Sequence, residues 1–260
     1  MRLVPTRWLV PTLAFVAACG KPADKAPETP AADTAAPTAQ PAAPTGPQAI
    51  ITVLYQTPKD TAAFEKYYAT THLPIVSAGK QEIGFTKAEL TRFVSSLDGK
   101  KPAFYRQAEL YFNSLDDAKK AMGTPAFQKV KDDFKKFDTH GLIAMLAVET
   151  GDKSDTPCPA LVTVIYNTPK DTAAFEKYYA TTHLPIVRAG KQEIGFVRAD
   201  LTKFVPNDTT PPAKYRQAEL CFNSMADVKK GTATPAFKKV GDDFKNFVTN
   251  GLTALIGEQK

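Results

Sequence analysis

"YYATTHLPIV" runs from Tyr67 to Val76 and returns unchanged from Tyr178 to Val187. Around it the chain aligns with itself at an offset of 111, which places Tyr55 on Tyr166, His72 on His183 and Phe85 on Phe196. After one deleted residue the offset is 110, and Glu109 falls on Glu219, Phe127 on Phe237 and Asp133 on Asp243. The chain is therefore a tandem duplication of a unit of about 100 residues, the usual size of a small domain. From Thr57 to Phe85 the copies differ only at Ser77 against Arg188, whereas the hairpin turn that follows differs at most positions. Such unevenness within one chain points to unequal constraint.

Each copy has the same pattern. "AIITVLY" and "ALVTVIY" are β-branched runs closed by Thr-Pro-Lys-Asp, which reads as a strand and a turn. In "DTAAFEKYYATTH", Phe64, Tyr68 and His72 recur at i, i+4 and i+8, a helical face. Thr57 or Asp60 is the expected N-cap, with Pro58 as a first helical residue, and Pro74 is expected to stop the helix. "IGFTKAELTRFV" and "AFYRQAELYF" alternate and flank a Gly/Lys/Asp-rich turn, a hairpin. An amphipathic stretch broken at Gly123 and Pro125 follows, then a last strand, "GLIAMLAVE".

The order is β-α-β-β-α-β, the ferredoxin-like arrangement of the α+β class. Its sheet is covered by helices on one face only. The other face needs a partner, and the second copy is the one at hand. Two such sheets packed together make an eight-stranded barrel, an internal pseudo-dimer in a chain expected to be monomeric.

Two of the three histidines, His72 and His183, occupy the same place in the repeat. At a helix C-terminus the imidazolium is favoured by about 0.3 to 1 kcal/mol, while burial favours the neutral ring. Such a group titrates near neutrality and suits general acid or base work. The same position suits a core histidine satisfied by carbonyls and a tyrosine, so both readings stand. Tyr67, Tyr68, Tyr178 and Tyr179 read as core aromatics, although Tyr68 shares the face of His72 and its hydroxyl can orient the ring or a ligand.

Alternation in "YRQAEL" assigns Tyr105, Gln107, Glu109 and Tyr111 to the barrel side and Arg106, Ala108, Leu110 and Phe112 to the helix side. Polar and aromatic groups on the barrel side suit either a ligand cavity or a hydrogen-bonded interface between copies, and in the second case Glu109 and Glu219 are expected to pair with Arg or Lys across it.

The N-terminus has an export address. A basic start, an apolar run from Trp8 to Ala18 and Val-Ala-Ala-Cys at residues 16–19 resemble a bacterial lipobox. That resemblance implies cleavage after a signal peptide of residues 1–18, lipidation of Cys19 and, with Gly20 after it, anchoring in the cell envelope at the outer membrane. The run falls short of the about 20 residues a membrane span needs. Residues 19–48 form an Ala/Pro/Thr-rich tether that lacks the apolar surface to fold, and the repeat units are expected at 49–150 and 160–260.

Net charge is +6, but Lys and acidic residues are interleaved, as in "KKVGDDFKNF", so no nucleic-acid partner is expected. Cys158 lies in the connector and Cys221 in a strand. Their different settings suggest no shared role, although an exported chain permits a disulfide between them, and neither has metal-ligand spacing. The absence of G-x-G-x-x-G, P-loop, H-E-x-x-H and G-x-S-x-G motifs argues against tightly bound nucleotide and Ser-His-Asp chemistry.

Phe64, Tyr67, Tyr68, His72, Leu73 and Pro74, with the late "TPAFKKVGDDFKNF", resemble the EthD family of the dimeric α/β barrel superfamily. The resemblance covers both copies nearly end to end. It implies a homodimer-like barrel fused into one chain, with a small-molecule cavity between helices and sheet in each unit. His72 and His183 are then the catalytic candidates, and Tyr55, Phe64 and Tyr68, with Tyr166, Phe175 and Tyr179, the ligand-binding ones. The superfamily includes cofactor-free monooxygenases, polyketide cyclases, muconolactone isomerases and haem-handling enzymes. Three readings follow: His-assisted, cofactor-free chemistry on a small apolar or aromatic molecule, under the EthD-type oxidoreductase label; a non-catalytic binding or assembly module; and haem binding.

Overall fold

The computed structural model describes residues 47–137, 140–151 and 156–259. The signal sequence, Cys19 and most of the tether lie outside them. The first copy runs β1 (Ala49–Tyr55), α1 (Thr61–Tyr67), a π-helical turn (Tyr68–His72), α2 (Leu73–Ala78), α3 (Lys80–Ile83), β2 (Lys87–Ser96), β3 (Arg106–Phe112), α4 (Leu115–Met122), α5 (Pro125–Asp133) and β4 (Leu142–Glu149). The second runs β5 (Ala160–Tyr166), α6 (Thr172–Tyr178), a second π-helical turn (Tyr179–His183), α7 (Leu184–Ile194), β6 (Arg198–Val205), β7 (Arg216–Phe222), α8 (Met225–Thr232), α9 (Pro235–Asp243) and β8 (Leu252–Gln259).

The eight strands close into one antiparallel barrel in the order β1-β3-β2-β8-β5-β7-β6-β4. The last strand of each copy pairs with the second strand of the other, β4 with β6 and β8 with β2, so neither sheet is complete alone. The expected α+β pseudo-dimer is the architecture found, and full closure leaves no open sheet edge.

Along β1, Ile50, Thr52 and Leu54 face the barrel interior. There Ile50 and Leu54 meet Phe93, Tyr111 and Met145 of the same copy and Ile165, Phe204 and Leu255 of the other. Ile51 on the outer face packs under the helices with Phe112, Ala121 and Val130. Both faces are buried, which is why β1 reads as a nearly continuous apolar run.

Local caps are set by short polar side chains. Asp60 caps α1 by accepting from the Ala63 N–H at 2.9 Å, which leaves Pro58 and Thr57 outside the helix. Ser114 and Thr124 cap α4 and α5, the two pieces separated at Gly123.

Pro74 does not end the helical run. The Leu73 N–H bonds back to the Tyr68 carbonyl, one residue further than in an α-helix. That wider turn, placed just ahead of Pro74, takes up a ring that would otherwise strike the carbonyl four residues earlier. The run stops instead at Gly84 and, in the second copy, Gly195, at φ of 80° and 81°, where a side chain would be strained. His72 and His183 therefore sit inside a bulge and not at a helix C-terminus.

Two further expectations are corrected. Tyr105 lies before β3 and packs edge-on against Phe64 at 5.6 Å on the helix side, so the alternation holds only within the strand. Cys158 and Cys221 form a disulfide, because the antiparallel pairing of β5 with β7 brings the end of the connector alongside β7.

Candidate functional site

Each π-helical turn places a tyrosine and a histidine together. The Tyr68 and His72 ring centroids lie 5.4 Å apart, and those of Tyr179 and His183 5.6 Å. Both histidines are buried among phenylalanines, His72 against Phe134 and Phe137 and His183 against Phe244 and Phe247.

Across from each histidine stands a buried carboxylate. His72 Nδ1 is 2.9 Å from Asp133 Oδ2, and His183 Nδ1 is 2.8 Å from Asp243 Oδ2. The other oxygen accepts from a tyrosine hydroxyl, Tyr67 to Asp133 at 3.0 Å and Tyr178 to Asp243 at 2.8 Å. In the second copy Asn246 Nδ2 adds a donor to Asp243 Oδ1 at 2.9 Å.

Burial lowers both histidine pKa values, and the carboxylate contact offsets that only in part, so both rings favour the neutral form. With the carboxylate at Nδ1, a neutral ring carries its proton there and leaves Nε2 as an acceptor. Burial alone would raise the Asp243 carboxyl, but Asn246, His183 and Tyr178 bring it below the usual range. The product in each copy is an oriented imidazole backed by a carboxylate, the arrangement of a general base and its orienting group.

Two cavities open between helices and sheet. The first, about 1050 Å³, is lined by Tyr55, Tyr68 and His72 with Val53, Leu110 and Phe134. Its far wall is the β6–β7 connection of the other copy, including Asn207, Asp208 and Pro211. The second, about 300 Å³, is lined by Tyr166, Tyr179 and His183 with Val164, Leu184 and Phe244, and Leu97 of the first copy closes it. Arg188 stands at this cavity where Ser77 stands at the first.

Six of the eight expected site residues inside the repeats thus line cavities. Phe64 and Phe175 do not. They stack behind Tyr68 and Tyr179 at 5.5 and 5.6 Å and fix the tyrosine rings.

The residues not anticipated are Asp133 and Asp243, which accept from the Tyr67 and Tyr178 hydroxyls as well as facing the histidines. A signal existed: Val130, Asp133, Phe134 and Phe137 fall at i, i+3, i+4 and i+7, so a charge sits on an apolar stripe. Glu109 and Glu219 also depart from expectation. Inside the barrel they pair with glutamines of the opposite copy, Gln217 Nε2 to Glu109 at 3.1 Å and Gln107 Nε2 to Glu219 at 3.0 Å, while Arg198 turns to Glu89 and Asp200. Among the described residues no cluster of three or more His, Cys, Asp or Glu is placed to hold a metal, and no helix is long and apolar enough to cross a membrane.

A family model described as the EthD domain matches this chain twice, over residues 56–140 and 167–251. The chain belongs to the EthD family. A relative from Rhodococcus erythropolis, an uncharacterized 11.0 kDa protein of the thcB-thcC intergenic region, is 35% identical over 100 residues, which is 38% of this chain and 93% of the relative. The crystal structure of an EthD family protein from Bacillus halodurans C-125 is 28% identical and covers 41% of this chain and 99% of that one, with a TM-score of 0.35. An anthrone oxidase-like protein of known structure is 12% identical over 82% of this chain and 91% of its own, with a TM-score of 0.57, a likeness of fold.

Proposed function

We propose that this tandem EthD protein binds small apolar or aromatic molecules in its two cavities and transforms them by cofactor-free chemistry, with His72 and His183 as general bases. The observation that carries this reading is the buried His–Asp pair at the wall of each apolar cavity. A neutral imidazole held by a carboxylate accepts a proton from an activated C–H or O–H and returns it elsewhere on the molecule, which is the elementary step of isomerisation and cyclisation. Its Asp partner holds the tautomer and stabilises the imidazolium. The lipobox-like leader favours placement of this activity in the cell envelope, tethered through Cys19.

The test is the double variant His72→Gln/His183→Gln. A panel of monocyclic and bicyclic aromatics is screened for binding and turnover with wild type, and each hit is repeated on the variant. Turnover is expected to fall by 100-fold or more, in the range of about 10² to 10⁴ for a lost acid/base group. Unchanged constants for every hit defeat the proposal.

A second reading has one observation in its favour. An Nδ1–carboxylate contact is the outer-shell arrangement that metal-ligating histidines use, and the first cavity is the larger. Haem would then be held by His72 and supply redox chemistry there. A Soret band that forms with wild type and not with His72→Gln favours this reading, and the absence of a band removes it.

A further inference from the structure

Both cavities are apolar on the inner wall and cationic at the rim. A residue that lines a cavity and is also exposed stands at its mouth. In the first cavity Lys80, Lys119 and Lys131 do so, against one described carboxylate, Asp208. In the second Arg188 and Lys191 do so, and no described carboxylate lines it. Arg198 also belongs to that wall, but its guanidinium is buried and bound to Glu89 and Asp200.

The mouth cations are placed in two ways. Lys80 and Lys191 correspond in the repeat, and each ammonium lies over the ring of a wall phenylalanine, Lys80 over Phe85 at 5.6 Å and Lys191 over Phe196 at 5.7 Å. The ring face attracts the charge and keeps it at the apolar wall. A second cation has changed helix between the copies. Lys131 on α5 corresponds to Gly241 on α9, whereas Ser77 on α2 corresponds to Arg188 on α7, and all four line their cavities. The copy without the lysine therefore has an arginine, and that arginine is its one departure from the other copy between Thr57 and Phe85.

Among the described residues none of these mouth cations has an ion-pair partner, and Asp132, next to Lys131, is bonded by Lys135. Exposed lysines on a helix ordinarily serve solubility alone. Here an apolar cleft lies directly behind them, and charges of one sign around a low-dielectric cleft focus their field into it. A cationic ligand is opposed by that field and a neutral one makes no use of it.

We propose that both cavities take carboxylates with an apolar body, the anionic head at the mouth cations and the body against the inner wall. The head is met by Lys80 and Lys131 in the first cavity and by Lys191 and Arg188 in the second. The inference rests on the small-molecule reading above and assigns the charge of its ligand.

The probes are 2-naphthoate and 2-naphthamide, which match in size and differ in charge. Each is titrated into the full chain at low salt, with the His72 and His183 ring resonances read by NMR so that the two cavities are followed separately. Naphthoate is expected to bind about tenfold more tightly than the amide at both, the scale of two exposed ion pairs. High salt is expected to close that gap. Lys80→Gln/Lys131→Gln is expected to abolish the preference at the first cavity alone, and Arg188→Gln/Lys191→Gln at the second alone. All four side chains are exposed, so the fold is kept, and amide affinity is expected to be unchanged in both variants.

Equal affinities for the two probes at a cavity, or a naphthoate preference there that survives loss of both its cations, overturn the carboxylate site while the small-molecule reading stands. If neither probe perturbs either histidine at millimolar concentration, both fail together.

Discussion

The inside of the barrel and the cavities outside it have drifted apart to different degrees. Inside, the copies exchange the same contact in both directions, Gln107 to Glu219 and Gln217 to Glu109, with Thr52 and Thr163 donating to the respective carboxyls. Outside, one cavity is more than three times the volume of the other and their tyrosines differ in bonding. A residue at the shared interface must suit both halves at once, whereas a loop such as residues 206–213 touches one cavity only. Duplication therefore leaves the seam paired and frees the cavities to diverge in size and lining.

The symmetric seam gives the largest expected effect. Burial first, and then the charges of Glu89 and Asp200, pushes the Glu109 carboxyl up to about 8, and burial with Glu109 raises Glu219 well above the usual range. The folded state then holds a proton that the unfolded chain has already lost above pH about 4.5. Stability is greatest at low pH on this account and falls as pH rises toward 8, by on the order of 4 kcal/mol over three pH units. Urea unfolding at pH 5 and pH 8 checks it, and both halves should be lost in one transition. Glu109→Gln/Glu219→Gln should flatten the slope; a variant that keeps the wild-type slope assigns the dependence to other groups.

The disulfide tests the asymmetry directly. Cys158–Cys221 ties the connector to β7 in the second copy, where the first copy has Pro47 and Tyr111 at the matching positions. It closes a loop across a sequence separation of 63, so its removal by Cys158→Ala/Cys221→Ala should cost about 2 to 4 kcal/mol. Hydrogen exchange should rise first in β5 and β7. Uniform loosening of both copies would show that the crosslink serves the whole barrel instead of one half.

Much of the fold was legible in the residues because it is local or repetitive. Strand alternation, the Gly123–Pro125 break and the self-alignment lead to two β-α-β-β-α-β units, and one bare sheet face per unit leads to the barrel. What was not legible depends on contacts distant in sequence or on hydrogen-bond register. The π-helical turn leaves the spacing of Phe64, Tyr68 and His72 intact while shifting the backbone bonds by one residue, so periodicity passes over it. Asp133 lies 61 residues from His72, and the disulfide joins a connector to a strand 63 residues on that only the pairing of β5 with β7 brings near. Glu109 was placed correctly inside the barrel, but its partner was read by charge type, whereas a protonated carboxyl carries no charge to attract a cation and takes an amide.

The two His–Asp pairs sharpen the comparison at intermediate scale. Asp243 accepts from His183, Tyr178 and Asn246, whereas Asp133 accepts from His72 and Tyr67, Lys136 being the counterpart of Asn246. Replacement by Ala strands the buried histidine in either copy, at about 1 to 3 kcal/mol, while the half-buried tyrosine hydroxyls and the exposed Asn246 turn to water. Asp243→Ala and Asp133→Ala are therefore expected to cost about the same in chemical denaturation. A clearly larger cost for Asp243→Ala would mean that Asn246 does not find water when its acceptor is removed.

The smallest effect is the one that separates the cavities most cleanly. Tyr68→Phe removes a hydroxyl that shares a bond with Tyr55, and should cost about 1 kcal/mol, because the Tyr55 hydroxyl is left without its partner. Tyr179→Phe removes a buried hydroxyl that has no partner, so its desolvation cost disappears and stability should hold or rise by a few tenths of a kcal/mol. Paired thermal melts of the two variants against wild type decide it. A loss on Tyr179→Phe as large as that on Tyr68→Phe would mean that this hydroxyl is already satisfied in solution. A difference in the predicted direction identifies Tyr179 as a residue whose polar group is retained at a cost to the fold.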